Sequence, residues 1–207
     1  MASQVLRRTA LTIAVAAGLA APLLAQAQSG PWLVRVHALN LDSANKDSTG
    51  LGLSINNKVF PEFDISYFFT PNIAAELVLT YPQKHDIRAG GTDIGSLKHL
   101  PPTLSLQYHF TNLGAFKPYV GAGLNYTRFS SVEFAPAVVA ALNPSIDKNS
   151  TGLAVGVGLD YEFTKNTYFN VDVKKVQIRT DVMSNGVKAG EFKVDPLLVG
   201  VGVGWRF

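Results

Sequence analysis

Apolar and polar residues alternate with period two along most of the chain, in eight separate runs. They are Trp32–Leu39, Glu62–Phe69, Ile73–Tyr81, Thr103–Phe110, Tyr119–Phe129, Gly152–Phe163, Tyr168–Arg179 and Leu197–Phe207. Successive side chains on a strand point to opposite faces, so each run predicts a strand with two unlike faces. In the last run Val199, Val201, Val203 and Trp205 alternate with Gly200, Gly202, Gly204 and Arg206. In the sixth, Val155, Val157, Leu159, Tyr161 and Phe163 alternate with Ala154, Gly156, Gly158, Asp160 and Glu162. One face is apolar and the other small or polar. The count is even, and most runs reach the ~9–11 residues that a tilted strand needs to cross hydrocarbon.

The connections alternate in length. Residues 40–61, 82–102, 130–151 and 180–196 are long; residues 70–72, 111–118 and 164–167 are short. An up-and-down barrel then gathers every long loop at one end, as outer-membrane barrels do with long extracellular loops and short periplasmic turns. The fold expected is all-β: an eight-stranded antiparallel transmembrane barrel over residues 28–207, apolar face to lipid and polar face inward. Aromatic residues fit this. Trp32, Phe69, Phe110, Phe116, Tyr161, Phe163, Tyr168, Phe169, Trp205 and Phe207 fall beside the short turns or termini, and Tyr81, Tyr126 and Phe129 near the long loops. That distribution predicts two interfacial girdles. One run is irregular, because Val176 and Ile178 take the opposite parity to Phe169, Val171 and Val173. A β-bulge near Lys174-Lys175 would return them to lipid; alternatively the strand has left the membrane there.

Composition narrows the location. Residues 1–27 read as a cleaved secretory signal for the Sec pathway: Arg7-Arg8, an apolar run from Ala10 to Ala25, then Ala25-Gln26-Ala27. The formal charge of +3 falls to +1 without it, 16 basic residues against 15 acidic, so no basic face suggests nucleic acid. Zero Cys excludes disulfide scaffolds, thiolate metal sites and Cys nucleophiles. Export, aromatic girdles and barrel patterning together point to a Gram-negative outer membrane, with its lipid as the surrounding partner.

Candidate chemistry lies on the inward face. Arg35, Asp64, Glu76, Asp160, Glu162, Asp172, Lys174 and Arg206, with His37 and His109, form a mixed-sign set. An eight-stranded barrel is just wide enough for side chains to fill it, so this set predicts a polar plug. Asp160 and Glu162 lie about 6.5–7 Å apart at Cα with no cleft implied, and Ser105 and His109 about 13 Å apart, too far for a dyad. The four histidines show no ligand spacing, and the glycine pairs within strands do not complete a nucleotide loop. No enzyme, metal or cofactor is expected. The inward glycines open interior volume, and with Ala74, Val78 and Ala154 are candidates to border an apolar pocket.

Several segments resemble the outer membrane protein W family, whose members include alkane-uptake barrels. His99-Leu100-Pro101-Pro102-Thr103-Leu104 with Gln107-Tyr108 resembles its fourth strand, and Lys117-Pro118-Tyr119-Val120-Gly121-Ala122-Gly123-Leu124-Asn125-Tyr126-Thr127 its fifth. Asn72-Ile73-Ala74-Ala75-Glu76-Leu77 fits the third strand, and Asp160-Tyr161, Asp195-Pro196 and Phe207 complete the match. The resemblance implies a narrow, partly apolar channel for small hydrophobic molecules. It puts Val78 and Lys174 at the channel constriction, where Lys174 departs from the family's apolar character. It also implies that Phe207 is read by the barrel-assembly machinery during insertion. Pro82, Pro101 and Pro102 fall at neighbouring ends of strands three and four, where missing N–H groups weaken the ladder. They suggest a lateral opening through which a ligand leaves into the bilayer. The segment from Phe134 to Leu142 is a candidate short helix at the entrance. The functional expectation is passive passage of small hydrophobic molecules; the alternative is a structural or surface-interaction barrel without transport.

Overall fold

Strands form where the alternation puts them. In the computed structural model, which describes residues 30–207, the barrel consists of β1 (Trp32–Asp42), β2 (Lys58–Phe68), β3 (Ile73–Leu79), β4 (Thr103–His109), β5 (Phe116–Phe134), β6 (Asn149–Thr164), β7 (Thr167–Val176) and β8 (Leu197–Arg206). The predicted signal lies outside the described residues. Each strand pairs antiparallel with its sequence neighbour, β5 pairs with β6, and β8 returns to β1 from Leu33↔Arg206 to Asp42↔Leu197. The barrel is closed, so its strands leave no free edge.

The outer face is apolar. Leu104 and Leu106 on β4 expose 58% and 59% of their surface, and Val155 and Val157 on β6 expose 55% each. A band this wide would be an aggregation surface in water and is at home in hydrocarbon. Trp32, Tyr67 and Phe69 meet edge to face at the short-turn end, with centroids 4.8 and 5.3 Å apart. Two predicted girdle members depart from the pattern. Tyr168 and Phe129 point inward and are buried, Tyr168 beneath the plug and Phe129 against His99.

The expected bulge at Lys174-Lys175 is not there. β7 keeps an unbroken register with β6 through Lys174↔Gly156, Lys175↔Val155 and Val176↔Ala154, and with β8 through Lys175↔Leu197. Val176 and Ile178 instead turn inward and are buried. The lumen is therefore not uniformly small and polar; its long-loop half is apolar, and the change of parity supplies part of that lining.

The long loops carry structure of their own. Gln83–Ala89 and Thr92–Leu100 form a hairpin that pairs with the extended end of β5, and Leu53–Ile55 pairs with its free side. A second sheet joins Pro144–Ile146, Arg179–Ser184, Val187–Lys193 and Lys46–Asp47. The candidate helix forms over a shorter span, as α1 (Pro136–Leu142), with Pro at its start and Asn143 in the left-handed conformation at its end.

Candidate functional site

Inward positions on β1 read Leu33, Arg35, His37, Leu39, Leu41, and those on β2 read Phe68, Ser66, Asp64, Glu62, Phe60. Aligned by register, they divide the lumen by height. Leu33, Phe68, Ala74 and Tyr168 close the short-turn end. Charged residues fill the middle. Above them Leu39, Leu41, Phe60, Ala154, Val176, Ile178 and Leu198 begin an apolar column.

Arg35 centres the lower charged layer and is fully buried. It meets Asp160 in a two-pronged contact (Nε–Oδ1 3.0 Å, Nη2–Oδ2 2.6 Å) and Glu76 through Nη1 at 2.8 Å. Ser66 Oγ accepts from the same nitrogen at 3.2 Å. Such forked pairing suits buried guanidinium, since it satisfies several donors with fixed geometry. His109 stacks on Tyr119 and lies 3.9 Å from Asp160. One step higher, Lys174 Nζ reaches Glu62 at 2.6 Å, Asp172 at 3.3 Å and Asp64 at 3.8 Å. Glycines on the adjoining strands, Gly158 paired with Tyr119 and Gly202 with His37, make room for these side chains. A Cβ on Gly158 would lie 2.3 Å from the Tyr119 ring, and one on Gly202 would lie 2.3 Å from His37. Much of the volume those glycines open is thus occupied by the plug.

The predicted set does not all meet in one place. Arg35, Asp64, Glu76, His109, Asp160, Asp172 and Lys174 are brought together inside the barrel, with His37 among them. Glu162 lies at the short-turn mouth, paired with Lys117 and accepting from Asn166 N. Arg206 stacks on Phe68 at 4.0 Å and donates to Gly30 O, outside the network. Phe207 is exposed at the barrel end and pairs with Trp32 through the backbone. Glu62 was missed; its position at the start of a predicted run, with the same parity as Asp64 and Ser66, was the available signal.

Val78 and Lys174 line one cavity of about 700 Å³, measured with its open mouth. Leu39, Leu41, Phe60, Ala154, Ile178 and Leu198 form its walls, and Glu62, Glu76, Asp172 and Lys174 form its floor. Pro101 borders it, as do Gly121 and Gly156; Ala74 lies below the plug instead. Beyond the barrel, residues from the loop strands and α1 border a second apolar space of about 560 Å³, measured with its open mouth and lined by Leu53, Ile55, Leu97, Val138 and Phe192 among others. Leu53, Ile55, Leu97 and Phe192 pack in the same core as Leu39 and Leu41, so apolar lining is continuous from loops to plug.

Cross-strand pairing is interrupted beside this cavity. Pairing of β2 with β3 ends at Phe63↔Leu79 and that of β3 with β4 at Val78↔Thr103. The next cross-strand pair is Gln83↔His99, beyond Pro82 on one side and Pro101-Pro102 on the other. Asn125 Nδ2 donates to both Pro101 O and Pro102 O at 3.1 Å, so side-chain bonds hold the proline segment where the ladder stops. Beside it His85 and His99 stack at 4.7 Å, and neither nitrogen of His99 has a hydrogen-bond partner. Burial, with the neighbouring positive charges of His85 and Lys58, pushes His99 down to about 3; burial also lowers His85.

Known proteins are similar to this chain in sequence and fold. The OmpW family model matches residues 28–207. Outer-membrane protein y4mB of Sinorhizobium fredii is 41% identical over 210 residues, covering 94% of this chain and 90% of that protein. Outer membrane protein W of Vibrio cholerae is 33% identical over 218 residues, covering 98% and 100%. The crystal structure of OprG from Pseudomonas aeruginosa superposes with a TM-score of 0.74 at 26% identity, covering 87% of this chain and 97% of that one.

Proposed function

The chain belongs to the OmpW family of outer-membrane barrels, and from that premise we propose that it passes small hydrophobic molecules from the long-loop side into the bilayer. The long-loop end faces outside the cell. A ligand enters among the loop strands, follows the apolar column down to the cavity above Lys174, and meets the charged floor. Moving an apolar molecule past Arg35, Asp160 and Glu76 would break fully desolvated ion pairs, which is costly. The gap between Leu79 and Gln83 is the cheaper exit, because the outward face there is already lipid.

The continuous apolar lining carries this reading. A surface-interaction barrel has no need of such a column, since its lumen is free to pack polar groups throughout. The same reading takes Phe207, exposed at the barrel's end, as the signal to the barrel-assembly machinery.

Uptake of radiolabelled naphthalene or a short alkane by proteoliposomes tests the proposal. Protein-containing vesicles should take up label faster than empty ones. Pro82→Thr, which restores an N–H and a strand former, should slow uptake while leaving the barrel folded. Equal rates with and without protein would sink passage itself; wild-type rates in Pro82→Thr would sink only the lateral route.

A further inference from the structure

His37, Glu62, Asp64 and Asp172 come from three strands, and all four are buried. One ligand atom from each lies within 4.8 Å of the others. Both carboxylate oxygens of Asp64, Oδ1 of Asp172 and Nδ1 of His37 have no hydrogen-bond partner. Asp64 is fully buried, so these orphaned atoms are shielded from water as well. Neither Asp64 oxygen accepts a hydrogen bond, and the Lys174 ammonium stands off at 3.8 Å from Oδ2, so a closer cation would stabilise this buried carboxylate.

The histidine is oriented for that purpose. Asn170 Nδ2 donates to Asp160 Oδ1 at 2.7 Å, which turns the Asn170 carbonyl oxygen toward His37. His37 Nε2 lies 2.9 Å from that oxygen, an atom that only accepts, so Nε2 carries the proton. In a neutral imidazole the Nδ1 lone pair then aims at Asp64 Oδ2, 3.1 Å away, and Glu62 Oε1, 3.6 Å away. Three negative or electron-rich groups converge on one point. A ring nitrogen held by an acceptor, with the other left free, is also how metal-binding histidines are fixed.

We propose that His37, Glu62, Asp64 and Asp172 form a binding site for one divalent transition-metal ion at the base of the apolar cavity. Imidazole with carboxylates suits zinc, cobalt, manganese or ferrous iron better than calcium or magnesium. Bonds of about 2.0–2.2 Å span at most roughly 4.4 Å between opposite ligand atoms, so the cluster needs only small inward shifts. Lys174 is the resident competitor, its ammonium lying among the same carboxylates. It offers one positive charge against three carboxylates, and its side chain also borders the cavity, the direction in which it can withdraw. The metal fastens β1, β2 and β7 to one another at the level where the apolar column ends.

The test uses purified, folded, chelator-stripped protein in nanodiscs, one portion titrated with Co²⁺ and another loaded with Zn²⁺, dialysed and assayed for bound zinc by elemental analysis. Wild type should retain one zinc per chain and give cobalt visible absorption characteristic of nitrogen and oxygen ligands. Asp64→Asn and His37→Gln should each weaken binding by about tenfold or more. Lys174→Met, which removes the competing charge, should tighten it. Folding of each variant is read from its heat-dependent mobility in gels, and if either weakening variant fails to fold, the Lys174→Met result decides. Absence of metal from both wild type and Lys174→Met, or equal affinity in folded Asp64→Asn, overturns the site and leaves an imidazolium at His37. Neither result bears on hydrophobic uptake.

Discussion

The two halves of the lumen are built from the same strands by opposite means. The lower half stores charge: Arg35 with Asp160 and Glu76, then Lys174 with Glu62, Asp64 and Asp172, all buried but Lys174, which borders the cavity. The upper half stores apolar surface: Leu39, Leu41, Phe60, Ile178 and Val194 are each almost wholly buried. Leucine packing is tolerant of what it touches, so the upper half can accept a foreign hydrophobic molecule. An ion-pair network is not tolerant, because losing any member leaves another charge desolvated. On the proposed function, the apolar half is the receiver and the charged half the barrier.

The largest effect should come from removing the centre of the barrier. Arg35→Met strands Asp160 and Glu76 in the interior and should destabilise the folded barrel by about 3–5 kcal/mol. Urea unfolding in detergent or lipid measures it. Adding Asp160→Asn and Glu76→Gln to Arg35→Met should recover much of that loss, since neutral groups cost less to bury than unpaired charges. If Arg35→Met unfolds at the wild-type urea midpoint, the plug does not hold the lower half together, and the contrast between halves fails.

A smaller effect concerns the upper region alone. His99 has no partner and is held down to about 3, whereas in the unfolded chain it titrates near 6.5. A depressed histidine contributes stability that is complete above the unfolded value and lost as pH falls toward the folded one. Between 6.5 and 3 the loss runs at roughly 1.4 kcal/mol per pH unit for the one proton. Hydrogen-exchange protection across Gln83–Ala89 and Thr92–Leu100, corrected for intrinsic rates, should therefore weaken from pH 7 to pH 5. His99→Phe should reduce the dependence to the part carried by His85, whose imidazole burial also holds low. Protection that stays constant over this range in wild type would show that the hairpin tolerates charge as the lower lumen does.

Much of this was legible in the alternation. All eight strands, the alternating loop lengths and most members of the plug follow from period-two patterning, because a closed barrel admits only two faces. The division of the lumen by height was not. Leu39, Leu41 and Phe60 lie at or beyond the ends of the alternating runs, where a lipid-facing and a lumen-facing leucine look alike. Val176 and Ile178 suggested a bulge because an apolar pair was assumed to seek lipid, and burial in the upper lumen satisfies it equally well. The cluster of His37, Glu62, Asp64 and Asp172 has no spacing signature, since register across β1, β2 and β7 assembles it. Likewise the stacking of His85 on His99 depends on a hairpin within a segment that reads as loop.

The smallest effect sharpens the comparison by isolating burial. Lys188 Nζ lies 2.5 Å from Asp181 Oδ2 on the Arg179–Ser184 and Val187–Lys193 hairpin, a separation much like that of Arg35 from Asp160. Its partner holds the Lys188 ammonium above its usual range, yet the side chain is exposed to solvent. Water and salt screen such a pair, and two long side chains must be ordered to make it, so geometry alone adds little. Lys188→Met should leave the urea midpoint and the hairpin's exchange protection at wild-type values, at both low and high salt. A measurable loss, strongest at low salt, would mean that charge at the loops is organised as it is in the plug. The contrast would then lie between pairing and packing and no longer between water and its exclusion.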